Sequence, residues 1–337
     1  MKTTGLPLAV TMGDPAGCGP QIIEKAWRAK DETALPVFFA IADPIVFPSD
    51  LPLRIIESPE QADPVFADAL PVLKLDLHGV DALQTGVPQA HYAPAILESI
   101  QRATELALEN AIAGLVTSPI SKSVLYQAGF TFPGHTEFIA HLCAQQRKAT
   151  VDPVMMLVGG GLRVALATIH VPLMRVLDHL TADRLKTVIE VTDHALRRDF
   201  GLRSPTIALT GLNPHAGEQG SIGYEERDLI NPVAQTLRAS GIKVSDARPA
   251  DTVFHEALTG AFDAVIAMTH DQGLIPVKTL DMWGGVNTTL GLPIVRTSPD
   301  HGTAYDAAAQ RTCKAESLIA AMKLAKALAE TRALAHA

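Results

Sequence analysis

The chemistry-bearing residues of this chain are concentrated between Thr269 and Asp306, in THDQGLIPVKTLDMWGGVNTTLGLPIVRTSPDHGTAYD. Histidines, aspartates, Lys278, Asn287 and Arg296 stand there among glycines and prolines, between apolar runs. Such groups are poor core material because each needs a partner once water is removed, so the stretch reads as a binding site laid on strand ends. Three histidines extend the pattern. His170, His215 and His270 each close a short apolar, β-like run, in VALATIH, IALTGLNPH and AVIAMTH. That spacing predicts all three at the C-terminal edge of a sheet, where open α/β sheets bind ligands. Three neutral imidazoles suit a divalent metal with positions left open for substrate or water.

The elements needed to position these groups follow an α/β rhythm. Leu6 to Met12 predicts a buried strand, GDPAGCGP a rigid turn, and a helix opens near Gln21. The turn carries Pro15 and Pro20 and no lysine, so it matches neither GxGxxG nor the Walker pattern and does not predict a Rossmann fold. It is either a capped tight turn or a loop at the mouth of a cleft. Short apolar runs at 36–42, 53–56 and 72–75 precede a helical pattern over 94–113, and a strand follows at 115–117. In PGHTE, His135 and Thr136 fall at a helix start, where anions are favoured and a phosphate would fit. The alternative is N-capping by Thr136 with His135 on the surface. Runs 154–158 and 162–169, joined by Gly-Gly-Gly, predict a hairpin, and further strands are expected at 206–210 and 262–268.

At 337 residues the chain exceeds the size of one ordinary core, which predicts two lobes. Hydrophobic residues at 47% support substantial burial, and with aromatics at 5% the aliphatic residues must do the packing. A net charge of −8 argues against a nucleic-acid partner while permitting a few cations focused on one anion. The apolar run near the start is too short for a signal peptide or membrane span, so a cytoplasmic protein with no membrane association is expected. Cys18, Cys143 and Cys313 show no CxxC spacing and read as incidental buried thiols.

Several motifs in order, PGHTE, ATIHVPL, GLNPHAGE, PADT, HDQGLIPVK, GGVNTTLGLPIVRTS and DHGTAYDAA, resemble the 4-hydroxythreonine-4-phosphate dehydrogenase family of vitamin B6 biosynthesis. The resemblance implies an α/β fold of two α/β/α lobes, of the isocitrate and isopropylmalate dehydrogenase type, with the active-site cleft between them. One lobe would comprise residues 1–130 with 297–337 and carry the nucleotide loop. The other, 131–296, would carry the metal ligands and the dimer contacts. It further implies a homodimer that shares each site, His170, His215 and His270 as ligands of zinc, magnesium or cobalt, and His135, Thr136, Lys278, Asn287 and Arg296 around a phosphorylated substrate. Lys278 and Arg296, in LIPVK and LPIVR, lie within apolar strand-like patterns, where a cation is expected to have an anionic partner.

The implied reaction is oxidation of 4-phosphooxy-L-threonine by NAD or NADP to 2-amino-3-oxo-4-phosphooxybutanoate, which decarboxylates to 3-amino-2-oxopropyl phosphate. Lys278, Asp251 and Asp271 are the candidate bases, and sequence does not choose among them. Asp300, His301, Gly302, Thr303 and Ala304 resemble a nucleotide loop, with glycine permitting close approach of the cofactor. The following Ala309, Gln310 and Arg311 depart from the family's glycine-containing turn; Arg311 is either a contact for a 2′-phosphate or a helix-surface residue. Other readings keep the fold and change the substrate to phosphothreonate or phosphoerythronate, or dispense with the nicotinamide in a zinc phosphohydrolase or aldolase. A phosphate binder without catalysis is a further alternative.

Overall fold

The computed structural model describes residues 5–79 and 82–335. The strands are β1 (Leu8–Thr11), β2 (Phe38–Ala42), β3 (Leu53–Ile56), β4 (Leu70–Lys74), β5 (Gly114–Thr117), β6 (Val154–Gly159), β7 (Leu162–Leu166), β8 (Thr206–Thr210), β9 (Lys243–Arg248), β10 (Ala264–Ala267), β11 (Val286–Leu290) and β12 (Arg296–Pro299). The chain forms two compact units, Met1–Val151 with Leu292–Ala337, and Asp152–Gly291. The helix carrying His135, and Arg296 with it, therefore lies in the first unit, whereas the sequence reading put both in the middle lobe. Arg296 opens β12, whose pairing with β5 ties it to the first unit.

In the first unit the strand order is β3-β4-β2-β1-β5-β12, all parallel. Parallel strands are covered on both faces and read as unbroken apolar runs, which is why FFAIA in β2 is buried throughout. Helix Ala93–Leu108 buries Ile96, Ser99, Ile100, Ala103 and Ala107, a stripe at helical spacing, and packs on β1, β2 and β5. Ser99 is polar but satisfied: its hydroxyl donates to Ile41 O at 2.7 Å and accepts from Met12 N at 3.1 Å. That bond fixes the chain at the point where β1 gives way to the Gly13 turn.

In the second unit the order is β11-β6-β7-β10-β8-β9; β6 and β7 form the expected hairpin, β11 runs antiparallel to β6, and β7, β10, β8 and β9 are parallel. Alternate residues divide between two apolar layers, as period-two geometry requires. Met156, Ala165, Ile207 and Ile266 join Leu185, Val188 and Ile189 of helix Ala182–Arg198, while Leu157, Val164, Ala208 and Val265 join Val253, Phe254, Leu274 and Val277. One reading from sequence changes here. LIPVK is not strand-like: it lies in helix His270–Leu280, with Pro276 inside, and its Leu274 and Val277 face the core. A π-turn, Glu226–Ile230, leads into helix Asn231–Ala239. Among the described residues no helix is long and apolar enough to cross a membrane.

Candidate active site

Strands β7, β10 and β8 are adjacent and parallel, so the chain leaves all three along the same edge, and each exit leads to one of the histidines. The His170 and His270 rings lie 5.4 Å apart, centroid to centroid, at an interplanar angle of 41°. His270 opens helix His270–Leu280, and Asp271 Oδ1 lies 2.8 Å from its Nδ1. A carboxylate accepting from Nδ1–H fixes the ring and leaves Nε2 as the lone-pair nitrogen, the arrangement favoured for a metal ligand. Among the described residues no three His, Cys, Asp or Glu side chains of one chain cluster closely enough to hold a metal ion. The donor chemistry fits a divalent cation of the zinc type, but one chain supplies a pair of imidazoles and a separate third.

The third, His215, stands on an unusual turn. From His215 to Gln219 the backbone is left-handed throughout, with φ of 52°, 51°, 78°, 44° and 56°. Only Gly217 adopts this conformation freely; for the other residues it costs about 1–2 kcal/mol each. The turn is held from below by Glu226, buried at 2% exposure, whose Oε1 accepts from Asn213 N at 2.7 Å and whose Oε2 accepts from Asn213 Nδ2 at 3.0 Å. His215 lines a cavity of about 790 Å³ together with Glu218, Gln219, Arg227, Gln235 and Arg238.

Anion-binding features lie in the first unit. Helix His135–Arg147 starts from Gly134, whose extended φ of 175° makes it the N-cap, with no side chain capping the first turn. Thr136 is thus inside the helix and does not cap it. The Phe130, Phe132 and Phe138 rings, 5.3 to 5.5 Å apart, brace this start. His135 Nε2 is buried and has no hydrogen-bond partner among the described residues. Burial, then the cations Arg296 and Lys122, push its pKa well below the usual histidine value, so the ring is neutral. Lys122, not singled out from sequence, approaches the same turn: its Cε lies 3.5 Å from where a Cβ on Gly134 would stand.

Arg296 is 3% exposed, and its Nε and Nη2 donate to Thr117 Oγ1 at 3.2 and 2.7 Å. Burial lowers its pKa to about 10, against which the Glu137 carboxylate works, so it remains a cation at neutral pH. In the second unit Asn287 sits mid-strand in β11 opposite Leu157, with its Oδ1 buried and without a partner among the described residues. Lys278 lies half-buried on helix His270–Leu280. Asp251 is exposed in the first turn of helix Ala250–Leu258, and Asp271 is exposed beside His270.

The loop Asp300 to Ala304 is stitched to the turn after β1. Thr303 O accepts from Cys18 N at 2.8 Å, Asp300 N donates to Ser317 Oγ at 3.2 Å, and Tyr305 Oη donates to Asp14 Oδ2 at 2.6 Å. His301 Nδ1 lies 2.9 Å from Gly302 O. Burial raises the Asp14 pKa and pushes Tyr305 and Cys18 each up to about 12, so Cys18 is a thiol and no nucleophile. A Cβ on Gly302 would meet nothing within 4 Å, so internal packing does not demand the glycine, and the backbone there is open to a ligand. Ala304 is left-handed at φ 46°. Arg311 lies just beyond helix Tyr305–Ala309 with Nη2 3.4 Å from Glu24 Oε2, beside a carboxylate and at 63% side-chain exposure.

Comparison with known proteins adds an independent line. The family model for pyridoxal phosphate biosynthetic protein PdxA matches residues 30–325. The 4-hydroxythreonine-4-phosphate dehydrogenases of Maricaulis maris and Caulobacter vibrioides are each 48% identical to this chain, covering 97% and 98% of it and 98% and 99% of their own lengths. The crystal structure of 4-hydroxythreonine-4-phosphate dehydrogenase from Klebsiella pneumoniae superposes with a TM-score of 0.85 at 40% identity, covering 96% of this chain and 99% of that one.

The neutral state of His135 has a measurable consequence. Its folded pKa lies below that of the unfolded chain, so the stabilisation is complete above the unfolded value near 6.5 and is lost as pH falls towards the folded value. Between pH 7 and 5.5 this one residue should remove about 1 kcal/mol of stability. Urea unfolding of the wild type and of His135→Asn at both pH values checks it: the variant should lose less on acidification, and equal losses would refute a neutral, protected imidazole.

Proposed function

We propose, from the premise that this chain belongs to the pyridoxal phosphate biosynthetic protein PdxA family, that it oxidises 4-phosphooxy-L-threonine at its secondary alcohol with NAD or NADP and a divalent metal. It is an oxidoreductase of the 4-hydroxythreonine-4-phosphate dehydrogenase kind. The product, 2-amino-3-oxo-4-phosphooxybutanoate, is a β-keto acid and loses carbon dioxide to give 3-amino-2-oxopropyl phosphate. The observation that carries the reading is the delivery of three imidazoles to one sheet edge by parallel neighbouring strands, with His170 and His270 already side by side.

A zinc, magnesium or cobalt ion held by His170, His215 and His270 would supply Lewis-acid polarisation of the substrate hydroxyl, and the nicotinamide would accept the hydride from the same carbon. The chain's own groups supply the rest. His135, Thr136 and Arg296 bind the phosphate, with neutral His135 able to donate to an oxygen and Arg296 providing a permanent charge. Asn287 and Lys278 hold the remaining polar groups of the substrate. Asp271 is engaged with His270 and keeps that ring oriented, which leaves Lys278 or Asp251 to take the hydroxyl proton. Asp300 to Ala304 would hold the nucleotide, with the Gly302 backbone open to its approach. Arg311, the candidate contact for a 2′-phosphate, is already paired with Glu24, which supports NAD over NADP.

The protein acts as a cytoplasmic homodimer in which a second copy completes the metal's ligand set. Exposed apolar side chains support this, because they follow each histidine along the chain: Leu173, Met174 and Leu177 after His170, Ile222 and Tyr224 after His215, and Ile275, Met282 and Trp283 after His270. Groups of this size on ligand-bearing segments are expected to be covered by a partner. Phosphothreonate and phosphoerythronate are the competing substrates; turnover of purified protein on all three, followed by nicotinamide reduction, decides between them.

Three outcomes are expected. His215→Ala should lose bound metal and lower kcat roughly 100-fold or more while remaining folded; a variant that retains stoichiometric metal contradicts the ligand assignment. Arg296→Gln should raise KM for the phosphorylated substrate, a loss of about 1.5–3 kcal/mol in binding, and an unchanged KM would remove Arg296 from the phosphate site. In light scattering Met174→Glu should shift the dimer towards inactive monomer; a fully active dimer would place the interface elsewhere.

A further inference from the structure

Glu226 is a buried acid with no place in the reaction above. It is 2% exposed, and among the described residues no ion pair joins it. Its position is enforced by close packing: a Cβ on Gly217 would lie 2.5 Å from Oε2, and one on Gly211 would lie 3.1 Å from Oε1. Both oxygens are engaged by Asn213, through its backbone N at 2.7 Å and its Nδ2 at 3.0 Å, and the same Nδ2 reaches Glu225 Oε2 at 2.7 Å. Asn213 is the residue from which the left-handed turn departs. Glu226 also opens the π-turn Glu226–Ile230, a widened turn of the kind found where a helix presents a functional group.

The turn's own backbone hydrogen bonds are local. Ala216 N donates to Asn213 O at 3.2 Å, Ile222 N to Gly217 O at 3.2 Å, and Ser221 N to Glu218 O at 3.1 Å, all of them local bonds. His215, Ala216, Glu218 and Gln219 are non-glycine residues in a conformation that L-residues avoid, so the run relaxes unless something outside it intervenes. Tied to the start of the run and packed under Gly217, Glu226 supplies that external hold.

We propose that Glu226 is a positioning residue for His215: it holds the left-handed turn in the conformation that presents the imidazole for metal coordination. The proposal rests on reading His215 as a metal ligand. Loss of the Glu226 carboxylate lets the turn relax, and metal affinity falls without the donor set changing. A glycine within the run has no left-handed penalty, so Gln219→Gly, at an exposed position with φ 56°, compensates for the missing hold.

The test measures Co²⁺ affinity by chelator competition, with the Co²⁺ d–d spectrum recorded on the same protein and folding followed by circular dichroism. Glu226→Gln is expected to weaken Co²⁺ at least 10-fold and alter the spectrum in a folded protein. Adding Gln219→Gly should restore most of the affinity. A purely structural glutamate would lower thermal stability but leave the affinity of the folded protein and its spectrum unchanged, and that result overturns the proposal, as does a loss that Gln219→Gly fails to repair. Should Glu226→Gln not fold, Asn213→Ala, which removes the side-chain donor and keeps the carboxylate, carries the same two outcomes. Wild-type protein whose Co²⁺ binding is indifferent to His215→Ala would sink the metal reading and this proposal together; His215-dependent binding that Glu226→Gln leaves untouched sinks this proposal alone.

Discussion

Parallel strands leave a sheet on the same side, and that constraint organises the second unit. β7, β10 and β8 are neighbours with a common direction, so residues that follow them are delivered to one edge however far apart they stand in the chain. His170, His215 and His270 are gathered by topology, not by a local motif. The apolar layers on either face of these strands make the edge rigid enough to hold a ligand geometry.

Several buried polar groups have partners that hold neighbouring turns and loops in place. Ser99, Asp14 and Glu226 have hydrogen bonds that settle them and, through them, fix the Gly13 turn, the Asp300 to Ala304 loop and the His215 turn. Arg296 is tied to Thr117 in the first unit. By contrast His135 Nε2 and Asn287 Oδ1 are buried without partners among the described residues. Unsatisfied buried atoms are costly, and both belong to residues that the family resemblance implies around the substrate. In the proposed function each would meet a polar group of the substrate.

Metal chemistry and the oligomer are joined in this reading. One chain has a histidine pair and a third histidine on a strained turn, and no closed cluster of three among the described residues. A site completed by a second copy links ligand geometry to assembly, and exposed apolar residues next to each histidine are what such an arrangement needs.

Much could be read from residue order alone. Buried parallel strands show as unbroken apolar runs, so β1, β2, β5, β8 and β10 were visible, as was the β6–β7 hairpin, and ordered motifs identified the family. The weaker signals belonged to β9, β11 and helix Ala250–Leu258, where polar residues interrupt the pattern, and LIPVK read as a strand because short apolar runs do not distinguish strand from helix. Only the folded chain could show that Lys122 approaches the His135 turn, that Thr136 is no cap, and that Glu226 packs against Gly217 of the His215 turn, since these depend on contacts between elements. The left-handed run at His215 was equally hidden: propensity disfavours it, and it persists through packing and hydrogen bonds from outside the segment, which no local pattern of residues encodes.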